Sequence, residues 1–141
     1  MKFFREFKDV PQLVKAHPDD AGFDLFSASD DFVLEAGKQD VVETGLHIAI
    51  PPGYVGIIKP RSGYSVKYGT DVIDGVVDAG YTGEVLVVLT ALTTFTIKRK
   101  DKIAQMLIVQ VPPMELEEVN TLEELGDTER GANGFGSTGD H

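Results

Sequence analysis

Short apolar runs recur along the chain, each closed by turn-forming residues. Phe32-Val-Leu34, Asp40-Val-Val-Glu43, Leu46-His-Ile-Ala-Ile50 and Tyr54-Val-Gly-Ile-Ile58 are separated by breaks such as Ala36-Gly37 and Pro51-Pro52-Gly53. Val85 to Leu89, Phe95-Thr-Ile97 and Ile103 to Val111 continue the series. Runs of this length and spacing predict an all-β sandwich or barrel rather than alternating β and α units. Ser62 to Tyr68 reads as a helix, with Ser62 as its N-cap and Gly69 as its stop. Thr121-Leu-Glu-Glu124 carries a capping-box pattern, but Gly126 ends it within about a turn and a half. From Arg130 the chain is polar and Gly-rich, which alone predicts a flexible end.

Composition narrows this picture. A chain of 141 residues, 42% hydrophobic, builds one domain. Val, Ile and Thr outnumber Ala and Leu, which favours strands. There is no Cys, so disulfides, thiolate metal sites and cysteine nucleophiles are excluded. His17, His47 and His141 are too scattered for a metal cage, so any metal should be a hard ion held by oxygen. The N-terminal Met1-Lys-Phe-Phe-Arg-Glu-Phe-Lys8 leads into no apolar h-region, and nowhere are there eighteen consecutive apolar residues. Neither a signal peptide nor a membrane span is expected, and the predicted location is cytoplasmic.

The net charge of -10 is unevenly placed. Residues 1–114 carry 15 acids against 12 bases, whereas residues 115–141 carry 8 acids against Arg130 alone. The chain therefore divides into a nearly balanced body, 1–114, and an acidic C-terminal arm, 115–141. Such an arm disfavours nonspecific binding to nucleic acid or anionic membrane, while leaving room for a phosphorylated ligand in a local cationic pocket.

Five segments carry candidate chemistry. In Arg130-Gly-Ala-Asn-Gly-Phe-Gly-Ser-Thr-Gly139, glycines allow close backbone approach to phosphate, and Phe135 is free to stack on a planar ring. A disordered tail has the same composition. Pro60-Arg61-Ser62-Gly63 opens the predicted helix and suits an anion seat, although a plain N-cap beside a surface ion pair uses the same residues. Gly75-Val-Val-Asp78-Ala-Gly-Tyr81-Thr-Gly-Glu84 reads as a hairpin. Asp78 there suits a general base, or merely the turn, and Asp71 and Asp74 are rival carboxylates. Ala21-Gly-Phe-Asp24-Leu-Phe-Ser-Ala28 places Asp24 within a buried strand. Lys98-Arg-Lys-Asp-Lys102 reads as a solvated strand end leading to Gln105, an amide in an apolar run that needs a partner.

Together and in this order the five segments resemble the five motifs of the trimeric dUTP pyrophosphatase (dUTPase) family, over nearly the whole chain. The resemblance implies a jelly-roll β-barrel of the β-clip type, assembled as a homotrimer whose sites lie at subunit boundaries. It implies hydrolysis of dUTP to dUMP and pyrophosphate with Mg²⁺, which limits uracil incorporation into DNA and supplies dUMP for dTMP synthesis. By position, Asp78 matches the carboxylate that activates water, and Tyr81 the aromatic under the deoxyribose. Gly75, Val76 and Val77 match the backbone that pairs with uracil. Arg61, Ser62, Gly63 and Gln105 match phosphate contacts, and Asp24 a carboxylate supporting the metal through water. Arg130, Gly136, Ser137 and Thr138 match contacts to the outer phosphates, with Phe135 over the uracil. The arm is thereby expected to close a neighbouring subunit's site.

Departures from the pattern are Val72 where Asn is common, Gly80 for an acidic residue, Thr90-Ala91 for an aromatic-Asn pair, and Lys100 where Gly is usual. The related dCTP deaminases, a binding role toward a regulatory protein and a purely structural jelly roll are the alternatives. The Gly-rich tail and the Asp78 segment fit hydrolysis better than deamination.

Overall fold

The computed structural model describes residues 1–140. His141, the last residue of the arm, lies outside the described residues. Among these, ten strands form: β1 (Lys2–Arg5), β2 (Phe23–Phe26), β3 (Phe32–Leu34), β4 (Gln39–Ala49), β5 (Tyr54–Lys59), β6 (Asp71–Ile73), β7 (Val76–Val77), β8 (Glu84–Thr90), β9 (Phe95–Ile97) and β10 (Lys102–Gln110). One helix, α1 (Ser62–Tyr68), and a 3-10 turn at Leu122–Leu125 complete the set. The all-β expectation is met, in the jelly-roll manner of the β-clip type.

Two four-stranded antiparallel sheets, in the orders β1-β4-β8-β6 and β2-β10-β5-β7, and a β3-β9 pair enclose one core without closing into a continuous barrel. Alternation decides which side chains enter it. Along β8, Val85, Val87 and Leu89 are buried while Leu86 is exposed, as the two-residue period of a strand requires. Leu46, Ile48, Ile97, Ile103 and Met106 join them with almost no exposed surface.

The runs at Asp40 and Leu46, separate in the sequence reading, belong to one eleven-residue strand. The pairing of β4 with β8 slips between Glu43 and His47, and Gly45 sits there at φ 63°. Side chains repair the broken ladder: the Thr44 hydroxyl donates to the Val85 carbonyl, and Gly45 N–H donates to Glu84 Oε1 at 2.9 Å. A bulge thus replaces the predicted break.

Helix α1 has the predicted span and stops at Gly69. Its N-cap, however, is Arg61, and Ser62 is already helical. The extended backbone of Arg61 supplies the cap position, with no side-chain capping bond. Tyr64 and Tyr68 hold the helix on β9: the Tyr68 and Phe95 rings stack at 3.9 Å, and Tyr64 meets both edge-on. Burial, reinforced by Asp101, pushes the Tyr64 hydroxyl up to about 12.

In the basic cluster Lys98 and Lys100 are exposed as expected, and Arg99 departs from that solvation. Arg99 forms a two-pronged pair with Asp9 at 3.2 Å, donates to the Ala28 carbonyl and lies over the Phe7 ring at 4.8 Å. It ties the N-terminal segment to the turn before β10. Its hydrogen bond holds the Asp9 carboxyl below the usual carboxylate range. Lys100, in that turn, has φ 74°, the left-handed region that glycine enters without steric cost.

Lys100→Gly is therefore expected to raise the unfolding free energy by about 0.5–1 kcal/mol, because its exposed pair with Asp9 offsets little of the strain. Urea unfolding of both proteins checks this.

Candidate functional site

Strand β5 organises two separate groups of candidate residues. Beside it, Asp74 and Gly75 join β6 to β7 with φ 63° and 103°. Gly75 is fixed by space as well as by φ: its carbonyl accepts from Ile58 N–H of β5 at 2.7 Å, and a Cβ there would stand 2.7 Å from the Ile58 carbonyl oxygen. This turn sets β7 on β5, Val76 opposite Ile57 and Val77 opposite Gly56. β7 is the outermost strand of its sheet, so its far backbone edge has no strand partner.

The predicted hairpin from Gly75 to Glu84 is not one. β7 pairs with β5, whereas β8 pairs with β4 and β6. Residues 78–83 instead carry the chain from one sheet to the other. The period-2 pattern is the same in either case, and only the partners differ. The crossing leaves a cleft of about 230 Å³ lined by Gly75, Val76, Val77, Asp78 and Tyr81. Ile73 and Leu86 supply further apolar walls. Asp78 and Tyr81 are exposed on its rim. The Tyr81 hydroxyl donates to the Glu84 carbonyl at 2.7 Å, and its ring folds over Gly83, where a Cβ would come within 2.5 to 2.8 Å of it. Asp74 lines the same cleft, but its carboxylate faces its own turn, accepting from Val76 N–H at 3.5 Å. Asp71 accepts from Val72 N–H, which leaves Asp78 as the carboxylate on the rim without such a bond.

The second group lies past the other end of β5. In β2, Asp24 is buried and pairs across the sheet with Gln105 of β10, which in turn faces Lys59 of β5. Asp24 Oδ1 is 3.5 Å from Arg61 Nε, and Oδ2 is 3.0 Å from Lys102 Nζ. The Gln105 amide finds its partner by donating to the Pro60 carbonyl at 3.1 Å. Two cations thus bracket one carboxylate, leaving net positive charge next to the exposed Ser62 and Gly63. Lys102 escaped the sequence reading because it sits in a run of four cations; only the strand register, which sets it opposite Phe26 in the strand that carries Asp24, singles it out. Among the described residues no three His, Asp or Glu side chains converge to hold a metal.

The third group lies in the arm and, among the described residues, shares no hydrogen bond with either of these. Beyond Val111, whose N–H donates to the Gly53 carbonyl, the hydrogen bonds of the described residues are local. Arg130 donates to the carbonyls of Asn133 and Gly134, curling the Gly-rich segment over its guanidinium, and Phe135 is fully exposed. Gly136, Ser137 and Thr138 are exposed beside it.

The dUTPase family model matches residues 8–139, which spans all three groups. The chain belongs to the dUTPase family. It is 42% identical to a deoxyuridine 5′-triphosphate nucleotidohydrolase of Corynebacterium jeikeium, over 99% of this chain and 92% of that protein. A namesake from Mycolicibacterium gilvum is 46% identical, over 94% and 90%. The dUTPase of Staphylococcus bacteriophage 80alpha, solved with dUpNHpp, superposes with a TM-score of 0.85 at 30% identity, covering 98% of this chain and 97% of that one. A variant of the dUTPase from phage phi11 of S. aureus, solved with a structural Mg(II) ion, gives 0.78 at 28% identity, covering 86% and 97%. In this dUTPase, the Lys100 departure falls on a left-handed residue and Gly80 on an open position with no atom within 4 Å of an added Cβ.

Gly75→Ala is expected to cost about 1–3 kcal/mol, because it combines a positive φ with a backbone clash. Gly80→Ala, with open space around it, should stay within about 0.5 kcal/mol of the parent. Equilibrium denaturation of the two variants makes the comparison.

Proposed function

We propose that this dUTPase hydrolyses dUTP to dUMP and pyrophosphate at sites shared between the copies of a homotrimer. Asp78 orients and deprotonates the water that attacks the α-phosphorus. The observation that carries this reading is the cleft in which an unpaired backbone edge, a carboxylate and a tyrosine ring face one space. The free edge of β7 offers the N–H and C=O of Val76 to the pairing edge of uracil, while Val77, opposite Gly56, turns its own toward β5. Cytosine presents an amine donor where uracil has a carbonyl acceptor, and a site built for one leaves buried groups unpaired with the other. Tyr81 lies under the deoxyribose, its ring closing the space a 2′-hydroxyl needs.

Strand geometry supports the sharing of sites. Val77 pairs with Gly56, so Asp78 stands about level with Val55, and Arg61 comes six residues later. At ~3.3 Å per residue that is a separation of roughly 20 Å, too far for one α-phosphate to meet both. The cationic group of one copy therefore completes the cleft of another, and the arm, residues 115–141, reaches a third. Arg61, Ser62, Gly63 and Gln105 receive the phosphates nearer the sugar. Arg130, Gly136, Ser137 and Thr138 cover the outer ones while Phe135 stacks on the uracil. Closure excludes bulk water and strengthens each charge interaction inside.

Mg²⁺ enters as part of the substrate. With no cluster of acidic ligands among the described residues, an ion held mainly by phosphate oxygens and water fits best, as is usual for this cation. Asp24 is the protein group suited to it: Oδ2 is buried against the Lys102 ammonium at 3.0 Å, and Oδ1, 3.5 Å from Arg61 Nε, is the oxygen left to accept from a water of such an ion. The ion supplies charge neutralisation to the triphosphate. A positioned base contributes about 10²- to 10⁴-fold, and positioning with charge stabilisation by Arg61 and Arg130 supplies the remainder.

Asp78→Asn should reduce dUTP turnover at least ~10²-fold while dUpNHpp still binds, with pyrophosphate release and calorimetry as the readouts. Removal of residues 130–141 should leave the oligomer intact by light scattering yet depress turnover strongly. Full activity in the truncated protein rejects the closing role of the arm.

A further inference from the structure

His47, on the exposed side of β4 just past the bulge, holds its ring between two oxygens. Nδ1 is 2.9 Å from the Thr82 carbonyl oxygen and Nε2 is 2.8 Å from Glu6 Oε1. A carbonyl and an ionised carboxylate are both acceptors, so the two bonds coexist only when both ring nitrogens carry protons. A neutral imidazole has one N–H and gives up one partner. Thr82 belongs to the 78–83 crossing, directly after Tyr81 and four residues after Asp78. Glu6 follows β1, whose Phe4 pairs with His47 in register. Only the imidazolium therefore ties the crossing loop through β4 to the N-terminal segment.

We infer that His47, in its protonated form, is a positioning residue that latches the loop carrying Asp78 and Tyr81. The inference rests on the placement of those two residues in the active site, but the latch is a property of the loop itself. When the ring loses a proton, the remaining N–H stays on Nε2, because a carboxylate is the stronger acceptor. The Nδ1 lone pair then faces the Thr82 carbonyl, and that end of the latch opens.

The surrounding groups favour the charged ring. Glu6 faces it from the β1 side, and Glu84 stands opposite it on β8 with its carboxylate on Gly45 N–H. Lys2 lines the same groove, and Lys8 lies over the far Phe4 ring at 5.5 Å, with Phe4 itself 5.9 Å from the imidazole. The hydrogen bond to Glu6, followed by that to Thr82, raises the His47 pKa above the ordinary histidine value. The stabilisation is thus fully present below about pH 6.5 and is lost as pH rises through the raised folded value.

The test uses the intact enzyme and two variants, Glu6→Gln and His47→Gln. NMR titration gives the His47 pKa, hydrogen exchange corrected for intrinsic pH dependence gives protection of residues 78–83, and dUTP kinetics give kcat/KM against pH. In the parent protein, loop protection and kcat/KM should both fall roughly 3- to 10-fold across the His47 titration. Glu6→Gln, which keeps the ring, should move the titration and both breaks to lower pH together. His47→Gln should show no break, with protection fixed at the high-pH level. Loop protection in His47→Gln equal to that of the parent at pH 6 overturns the inference, as does a break that stays in place in Glu6→Gln while the histidine pKa moves. If the parent protein fails to turn over dUTP, the functional reading falls, and the exchange data still decide the latch.

Discussion

Each residue of an extended strand advances the chain by about 3.3 Å, and this fixed length of β5 governs how the molecule builds a site. One flank of the strand carries β7 and, just beyond it, Asp78. Past the far end come Arg61 and its partners Asp24 and Lys102. A rigid strand in the middle of a hydrogen-bonded sheet keeps Asp78 and the Arg61 group apart. In the proposed function it is assembly of copies that would bring them together, and this separation is the physical argument for a shared site.

The same logic explains the charge distribution. The body holds nearly balanced charge, with its cations gathered where they are useful: Arg61 and Lys102 on Asp24, Arg99 on Asp9. The arm holds most of the net negative charge ahead of Arg130, and its described residues make no hydrogen bond to the body of their own chain. An acidic, solvated connector gains little by settling on a body of nearly balanced charge, and in the proposed function it would deliver one cation and a glycine backbone to a distant anion.

Much of this was legible in the sequence where the cause is local. The span of α1 follows from a helical stretch closed by Gly69, and β3, β5, β8, β9 and β10 follow from short β-branched runs between turn residues. What failed was nonlocal. The bulge in β4 looks like a turn in sequence because Gly45 is repaired by Glu84 and Val85, some forty residues away. The Gly75–Glu84 segment looks like a hairpin because alternation does not reveal the partner strand. β1 interleaves charges with its aromatics, and β6 and β7 are apolar pairs between Asp71, Asp74 and Asp78, so all three exist through their neighbours. Asp78, Tyr81 and the Gly75 turn were singled out in one segment and given roles by motif resemblance, and the fold sets all three on one cleft. Lys102 was hidden among neighbouring cations, and the roles of Arg99 and His47 depend on contacts with Asp9, Glu6 and Thr82 that only the fold creates.

Complementation between two inactive variants tests the distributed site most directly. Asp78→Asn and Arg61→Ala proteins, each inactive alone, are unfolded together in equal amounts and refolded. If base and anion seat come from different copies, a site works when one copy retains Asp78 and its neighbour retains Arg61, and the mixture recovers about a quarter of the parent activity. Refolded mixtures that stay inactive, while the parent protein treated identically regains its activity, contradict the account.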